Sequence, residues 1–377
     1  MKTYVCTCGT SIVANSGISI ERLKHHPLSE WNNWRDDIEA VRDSVCDSLD
    51  RLSLPRDLND TSAEIKGLVK MGVTSDDRLI LIASDTVEGR LSAELVKEFL
   101  EERKISSKGQ IEIKTIAGLQ ATDGAVFQRE GLKNLLAYLV SLENNDLVLN
   151  PTGGYKSIVP YISLIGMLFN KPVRYIHEDS NDVLTLTNLP VVLNDDLLLL
   201  VEPKLKRIEQ ETAIPKNEWQ LGIDYNDRRF DCLVEESGGQ ITISGIGFLF
   251  WERFKQDYPA DLPRDERTPS EKINKLIDQG VGHHGIEKIR PIAVKLLHSP
   301  FVKAIPKSCD HQPNSKDWIK PLSQQDSRTH LQREAENICL VTNIHSDAGY
   351  SFLLETTARN QEENRRIAGI LNRRYFA

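Results

Sequence analysis

Short aliphatic runs bounded by polar residues alternate, along the first half of the chain, with longer stretches of helical period. Thr3–Cys8, Arg78–Ala83, Ile111–Ile116, Asp146–Asn150 and Val173–Ile176 have the length and β-branched content of buried strands. Between them, helical patterns cover Ser29–Leu52, Leu91–Arg103, Gly124–Leu142 and Tyr155–Phe169. Another helix starts at Thr61-Ser62-Ala63-Glu64, which reads as a capping box with Thr61 as cap. Strands and helices alternating at this spacing predict βαβ units, hence an α/β fold with a mainly parallel, doubly wound sheet over residues 1–190.

Residues 191–257 follow another rhythm. A helix over Leu197–Glu211 is followed by a hairpin, Phe230–Glu236 and Gln240–Ser244 about Gly238-Gly239, and by a helix over Gly247–Lys255. This order resembles part of a winged-helix connector. The Pro- and charge-rich stretch Tyr258–Pro269 reads as a linker into a third region, 258–377. There the pattern predicts helices over Ser270–Gln279 and Ile286–Leu297, strands over Val302–Ile305, Ile338–Asn343 and Tyr350–Glu355, and a last helix over Gln361–Leu371. The expectation is a small α+β unit with an antiparallel sheet.

Composition narrows the class. With 40% hydrophobic and 27% charged residues the chain reads as a soluble globular protein. Its longest apolar stretch, Ile158–Phe169, is too short to span a bilayer, and Met1–Val5 runs straight into a strand pattern, so no membrane partner and a cytoplasmic location are expected. Six scattered cysteines form no C-x-x-C pair, so structural thiols and no metal site are expected. The net charge of −8 is uneven: from Lys288 onward 14 Lys and Arg face 9 Asp and Glu. That excess suggests that the C-terminal region meets a polyanion.

The sharpest local chemistry is Asn150-Pro151-Thr152-Gly153-Gly154-Tyr155-Lys156-Ser157, where a strand gives way to a helix. Paired glycines permit close backbone approach, a helix start offers unpaired N–H groups, and Lys156 adds a charge, all suited to phosphate. It is neither a Walker A loop nor a G-x-G-x-x-G fingerprint. Gly9-Thr10-Ser11 and Ser84-Asp85-Thr86 also follow strands. Loops at the carboxyl ends of parallel strands converge on a ligand crevice.

These three loops, with Asn-x-Thr-Gly-Gly-x-Lys the most specific, resemble the CARF domain of CRISPR-associated accessory proteins over residues 1–190. The resemblance implies a Rossmann-like homodimer whose paired crevices bind cyclic oligoadenylate, an allosteric activator rather than a cofactor. It places Thr10, Ser11, Asp85, Thr86, Asn150, Thr152, Gly153, Gly154 and Lys156 around the ligand. Tyr155 either stacks on adenine or packs under the helix. Two-fold symmetry favours cyclic tetra-adenylate.

CARF sensors are wired to effectors. The Arg–His spacing of HEPN ribonucleases is not matched, since Arg290 and His298 have seven residues between them and Arg328 and His330 one. The element order of 258–377 is instead similar to the RelE/HigB messenger-RNA interferases. That similarity implies a metal-independent endoribonuclease acting on mRNA, with the ribosome as partner. Arg359 is then the leading active-site residue, and Arg365 and Arg366 lie on the helix beyond it. Where many members carry an arginine before Leu-Val this chain has Cys339, so the compensating base falls to Arg333, His330, Lys303 or Lys307. Arginine suits the role because its fork pairs bidentately with phosphate oxygens. The competing readings are a ligand-dependent transcriptional regulator, with the hairpin as a wing, and a ring nuclease that degrades the messenger.

Overall fold

The aliphatic runs become β1 (Thr3–Thr7), β2 (Arg78–Ala83), β3 (Ile111–Thr115), β4 (Leu147–Asn150) and β5 (Val173–Ile176). A further strand, β6 (Val183–Leu186), pairs antiparallel with β5 and closes that edge. The computed structural model describes residues 1–142, 146–176, 182–186, 193–224, 226–275, 283–309, 328–333, 337–344 and 349–375. They fall into two compact units, Met1–Phe254 and Lys255–Ala377.

In the first unit the sheet order is β3-β2-β1-β4-β5-β6, with β1 to β5 parallel, so the fold is Rossmann-like α/β. Successive strand side chains point to opposite faces. Tyr4, Cys6, Leu79 and Leu81 therefore enter one core, with α1 (Ser11–Asn15), α2 (Arg35–Asp50), α3 (Ala63–Lys70) and α4 (Val87–Glu102). Val5, Ile80, Ile82 and Leu149 enter the other. The second face is covered after a short α5 (Gly124–Val126) by α6 (Leu132–Ser141) and α7 (Val159–Leu168).

Three helix starts differ from expectation. Ser62, not Thr61, caps α3: its hydroxyl accepts from Ile65 N–H at 3.2 Å, while Thr61 donates back to Leu58. Glu64 is thereby released from a capping box. Helix α4 begins at Val87 because Thr86 caps it. Between Tyr155 and α7 lies one 3₁₀ turn, Lys156–Ile158.

Cys6 and Cys8 lie in the same core, and burial pushes both thiols well above their usual range. Native alkylation near about pH 8 needs thiolate and access. It should therefore label exposed Cys232 first, although partial burial raises that thiol too, and Cys6 and Cys8 only after denaturation. Peptide mapping by mass spectrometry checks this, and rapid native labelling of Cys6 would contradict the packing.

The connector region joins this unit. It comprises α8 (Asp195–Glu211), β7 (Ile214–Pro215), α9 (Lys216–Gln220), β8 (Val234–Ser237), β9 (Gln240–Ile243) and α10 (Gly245–Asp257). The β8–β9 turn is Gly238-Gly239 with both φ positive, the conformation that a two-residue hairpin of this hand requires. Leu249 of α10 is buried in the α6–α7 core.

The second unit holds a five-stranded sheet, β10-β11-β14-β13-β12. Its elements are β10 (Ile273–Asn274), α11 (His283–Leu297), β11 (Val302–Cys309), β12 (Arg328–Arg333), β13 (Ile338–Ile344), β14 (Gly349–Thr356) and α12 (Gln361–Tyr375). The helix expected over Ser270–Gln279 is not formed in its described part. Ile273 and Asn274 pair with β11 instead, because a sheet edge supplies partners for their backbone that local propensity does not see. Strand β12 was not among the expected strands. Among the described residues no helix is long and apolar enough to cross a membrane.

Candidate functional site

Strands β1 and β4 are neighbours, yet the helices that follow them leave to opposite faces of the sheet: α1 and α3 to one side, α7 to the other. Such a divergence opens a crevice beyond the carboxyl ends of the two strands. The β1 loop (Gly9–Ser11) and the β4 loop (Pro151–Lys156) form its walls, and Ser84–Thr86 after β2 stands beside them.

The floor of this crevice contains a residue that the local pattern assigned only to a capping box. Glu64, fully buried on α3, accepts from Gly9 N–H at 2.7 Å and from the Ser11 hydroxyl at 2.9 Å. The paired glycines fit around it. A Cβ on Gly153 would lie 1.8 Å from Glu64 Oε1, and one on Gly9 would lie 2.8 Å from Gly154 N. The Ser11 hydroxyl, expected at the ligand, and the neighbouring Gly9 N–H are thus bound by a carboxylate of the protein itself. Only the tertiary packing of α3 against β1 reveals this.

The β4 loop is knotted by its own polar groups. The Asn150 side chain is 1% exposed, donates to Cys6 Sγ at 3.1 Å and accepts from Thr152 N–H at 3.2 Å. Thr152 Oγ1 accepts from Ile176 N–H at 3.2 Å, and Thr7 donates to the Gly153 carbonyl at 2.5 Å. Asn150 and Thr152 therefore shape the loop from within. Thr86 is likewise engaged, accepting from Gly89 N–H as the cap of α4 and pairing with Ser84 at 2.9 Å. Asp85, half-buried, accepts from Gly118 N–H at 3.0 Å and so ties the β2 loop to the β3 loop. Thr10 is half-buried, and its carbonyl starts α1.

Gly154, Tyr155 and Lys156 form the more open wall, with Lys156 exposed. Tyr155 packs edge-on against Phe127, ring centroids 6.3 Å apart. Burial raises its phenol above the usual tyrosine range, and the nearby Glu88 adds to the rise. Hydrogen bonds from Ser84 and the Ala121 backbone act the other way.

A cleft of about 600 Å³ lies elsewhere, within the connector, lined by Trp219, Phe230 and Ile241 together with Asp227, Asp231 and Glu236. These three acids are paired with Arg229, Arg228 and Lys216, so the cleft offers little to an anion.

In the second unit the strand register gathers some of the expected cations and separates others. Val302 stands opposite Thr356, Ala304 and Ile338 opposite Glu355, and Arg333 opposite Cys339. The backbones of Lys303 and Arg333 thus lie at the end of the sheet where β14 leads to Arg359. Two strand spacings separate β12 from β14, about 10 Å. His330 is opposite Thr342, towards the other end, and Lys307 is opposite Leu353. The side chains of Lys307, Arg333 and His330 lie outside the described residues.

The three arginines are surface groups with carboxylate partners. Arg359 makes a forked contact to Glu363 and donates to the Asp261 carbonyl at 3.2 Å. Arg366 pairs bidentately with Asp261, while Arg365 turns to Glu362. Asp261 therefore connects Arg359 with Arg366 but not with Arg365. The guanidinium of Arg366 lowers the Asp261 carboxyl, and that of Arg359 lowers Glu363. Asp261 and Glu363 went unnoticed in the sequence, although Arg359 and Glu363 have the i,i+4 spacing of a helical ion pair. Among the described residues no group of three or more His, Cys, Asp or Glu side chains is placed to hold a metal ion.

No curated protein matches the chain. Residues 59–189 match the model of a family described as CRISPR-associated protein (Cas_APE2256). The matched stretch holds α3 with Glu64, strands β2 to β6, Asp85, Thr86 and the whole Asn150–Lys156 segment. Through the residues that build the larger part of this crevice, the chain is similar to a CRISPR-associated family.

Proposed function

We propose that the chain is a cyclic-oligoadenylate-activated endoribonuclease of type III CRISPR defence, in which the first unit senses the messenger and the second cuts mRNA on the ribosome. The observation that carries the sensor half is the meeting of the β1, β2 and β4 loops at the switch point, in a segment similar to a CRISPR-associated family. Glu64 deepens that reading. It occupies the Gly9 and Ser11 donors, so a phosphate is directed to the Gly154–Lys156 wall, where a full positive charge stands. A second copy of the chain would complete a ring-binding surface, as the CARF resemblance implies, and cyclic tetra-adenylate suits its two-fold symmetry.

The effector half is supported by the cations placed at one end of the second sheet. Cleavage without a metal uses the RNA 2′-hydroxyl as nucleophile and needs fixed positive charge for the phosphorane. Arg359 and Arg366 are the groups that would supply this charge, with Lys303 or Arg333 as a further cation. Their carboxylate partners Glu363 and Asp261 must give way before RNA phosphate takes both forks. The regulator reading gains nothing from the hairpin, which carries Glu235 and Glu236, one of them paired with Lys216. Like charges there would oppose DNA phosphate.

The test is incubation of the purified protein with translating ribosomes and mRNA, with and without cyclic tetra- and hexa-adenylate, and mapping of the cleaved ends. Cuts that depend on one ring support both halves, and ring binding without cleavage removes the effector assignment. Lys156→Ala should weaken ring binding about 10-fold, the worth of one exposed charge-assisted contact. Titration calorimetry reads this, and unchanged affinity would move the phosphate elsewhere.

A further inference from the structure

A second buried carboxylate lies beside the crevice, and part of it is unused. Glu88, in the first turn of α4, is 7% exposed. Its Oε1 accepts from His25 N–H at 3.1 Å, whereas Oε2 is buried and has no hydrogen-bond partner. A buried polar atom left unsatisfied is costly, more so when charged, and so points to a missing partner. On its outer side Glu88 is roofed by the His25–Leu28 strap, tied down by Val87 N–H to His26 O at 2.9 Å and Leu28 N–H to Asp85 O at 3.3 Å. Its charge is also felt by Tyr155 of the β4 loop. Glu88 stands two residues beyond the Ser84–Thr86 loop, at the carboxyl end of β2 that borders the crevice.

A carboxylate oxygen there repels phosphate and accepts only from a donor. In a sheet of this order the position beyond β2 is where a nucleoside, not its phosphate, comes to lie. We infer that Glu88 reads the nucleoside of the bound ligand, its Oε2 accepting a hydrogen bond from the adenine amino group or from a ribose hydroxyl, next to Ser84 and Tyr155. The inference rests on the sensor reading above and assigns to it a specificity-determining residue beside the β2 loop.

The test compares binding of cyclic tetra-adenylate, its inosine analogue and its 2′-deoxy analogue by calorimetry, in wild type, Glu88→Ala and Glu88→Gln. The inosine ring lacks the amino donor, and the deoxy ring lacks the hydroxyl. Wild type should prefer the adenylate ring over one of these by about 10- to 100-fold, the worth of one hydrogen bond to a charged group. Glu88→Ala should erase that one preference and leave the other unchanged. In Glu88→Gln, His25 N–H holds the amide oxygen in place of Oε1 and sets an NH₂ donor in place of Oε2. An amino-reading site should then turn towards inosine, which presents an acceptor, and this variant carries the test should Glu88→Ala not fold. Ratios unchanged in a folded variant overturn the proposal. If wild type binds no ring, AMP, IMP and 2′-deoxy-AMP are compared in the same proteins. A preference for AMP lost in Glu88→Ala would keep Glu88 as nucleoside reader and remove the messenger, and no preference would overturn both.

Discussion

Arg359→Ala should abolish ring-dependent mRNA cleavage, lowering the rate about 10²- to 10³-fold, the range for loss of one fixed charge donor at a developing oxyanion. The proposed basis is positional. Arg359 follows β14 directly, at the sheet end that also receives Lys303 and Arg333, and its fork is already aligned on a planar carboxylate. A phosphate can take the same two donors in the same geometry. Stability should hardly move, because the Arg359 side chain is exposed and solvent screens its pairing with Glu363. A rate loss with an unchanged thermal midpoint therefore separates a catalytic arginine from a helix-surface ion pair. Full activity in the alanine variant would return Arg359 to the latter role and end the interferase reading at this residue. Arg365→Ala, whose partner Glu362 lies apart from Asp261, should cost far less under the same assay.

The second large effect concerns stability. Gly153→Ala should destabilise the first unit by about 3 kcal/mol, at the upper end of overpacking penalties. The new methyl would meet Glu64 Oε1 at 1.8 Å and the Thr7 carbonyl at 2.7 Å, and neither can retreat, one being a fully buried side chain and the other strand backbone. At about 2–4 °C per kcal/mol for a unit of this size, the thermal midpoint should fall by roughly 6–12 °C. Calorimetry of Gly153→Ala, Glu64→Ala and the double variant completes a cycle. If Glu64 is the main obstruction, the double variant will be less destabilised than the sum of the single ones. Strict additivity would show that Glu64 and Gly153 do not share the crevice floor.

Much of the first unit was legible because its signals are local. A buried strand needs an aliphatic run, and a helix needs an apolar stripe, so Arg78–Ala83 and Leu132–Ser141 announce themselves. The alternation then fixed a parallel sheet and, with it, the edge at which ligand loops gather. Residues 270–275, the described part of the helix expected over Ser270–Gln279, show the opposite case. Their helical pattern yielded to a parallel bridge between Ile273–Asn274 and β11, a partner far along the chain. In the crevice, several of the hydroxyls and amides expected at the ligand also make hydrogen bonds within the fold, which no local pattern shows. Thr86 caps a helix, Asn150 and Thr152 knot a loop, and Ser11 serves Glu64.

The sequence by itself determined the alternation of β1 to β5 with helices in the first unit, the glycine-rich turn after β4 and the uneven charge, because each is carried by the residue types along the chain. Only the tertiary structure decided which donors stay open. Glu64 lies 55 positions from Gly9 and Glu88 lies 63 from His25, yet each meets its partner within hydrogen-bond reach. A hydrogen bond is won by whichever group the packed backbone brings to about 3 Å, and sequence distance carries no record of that competition.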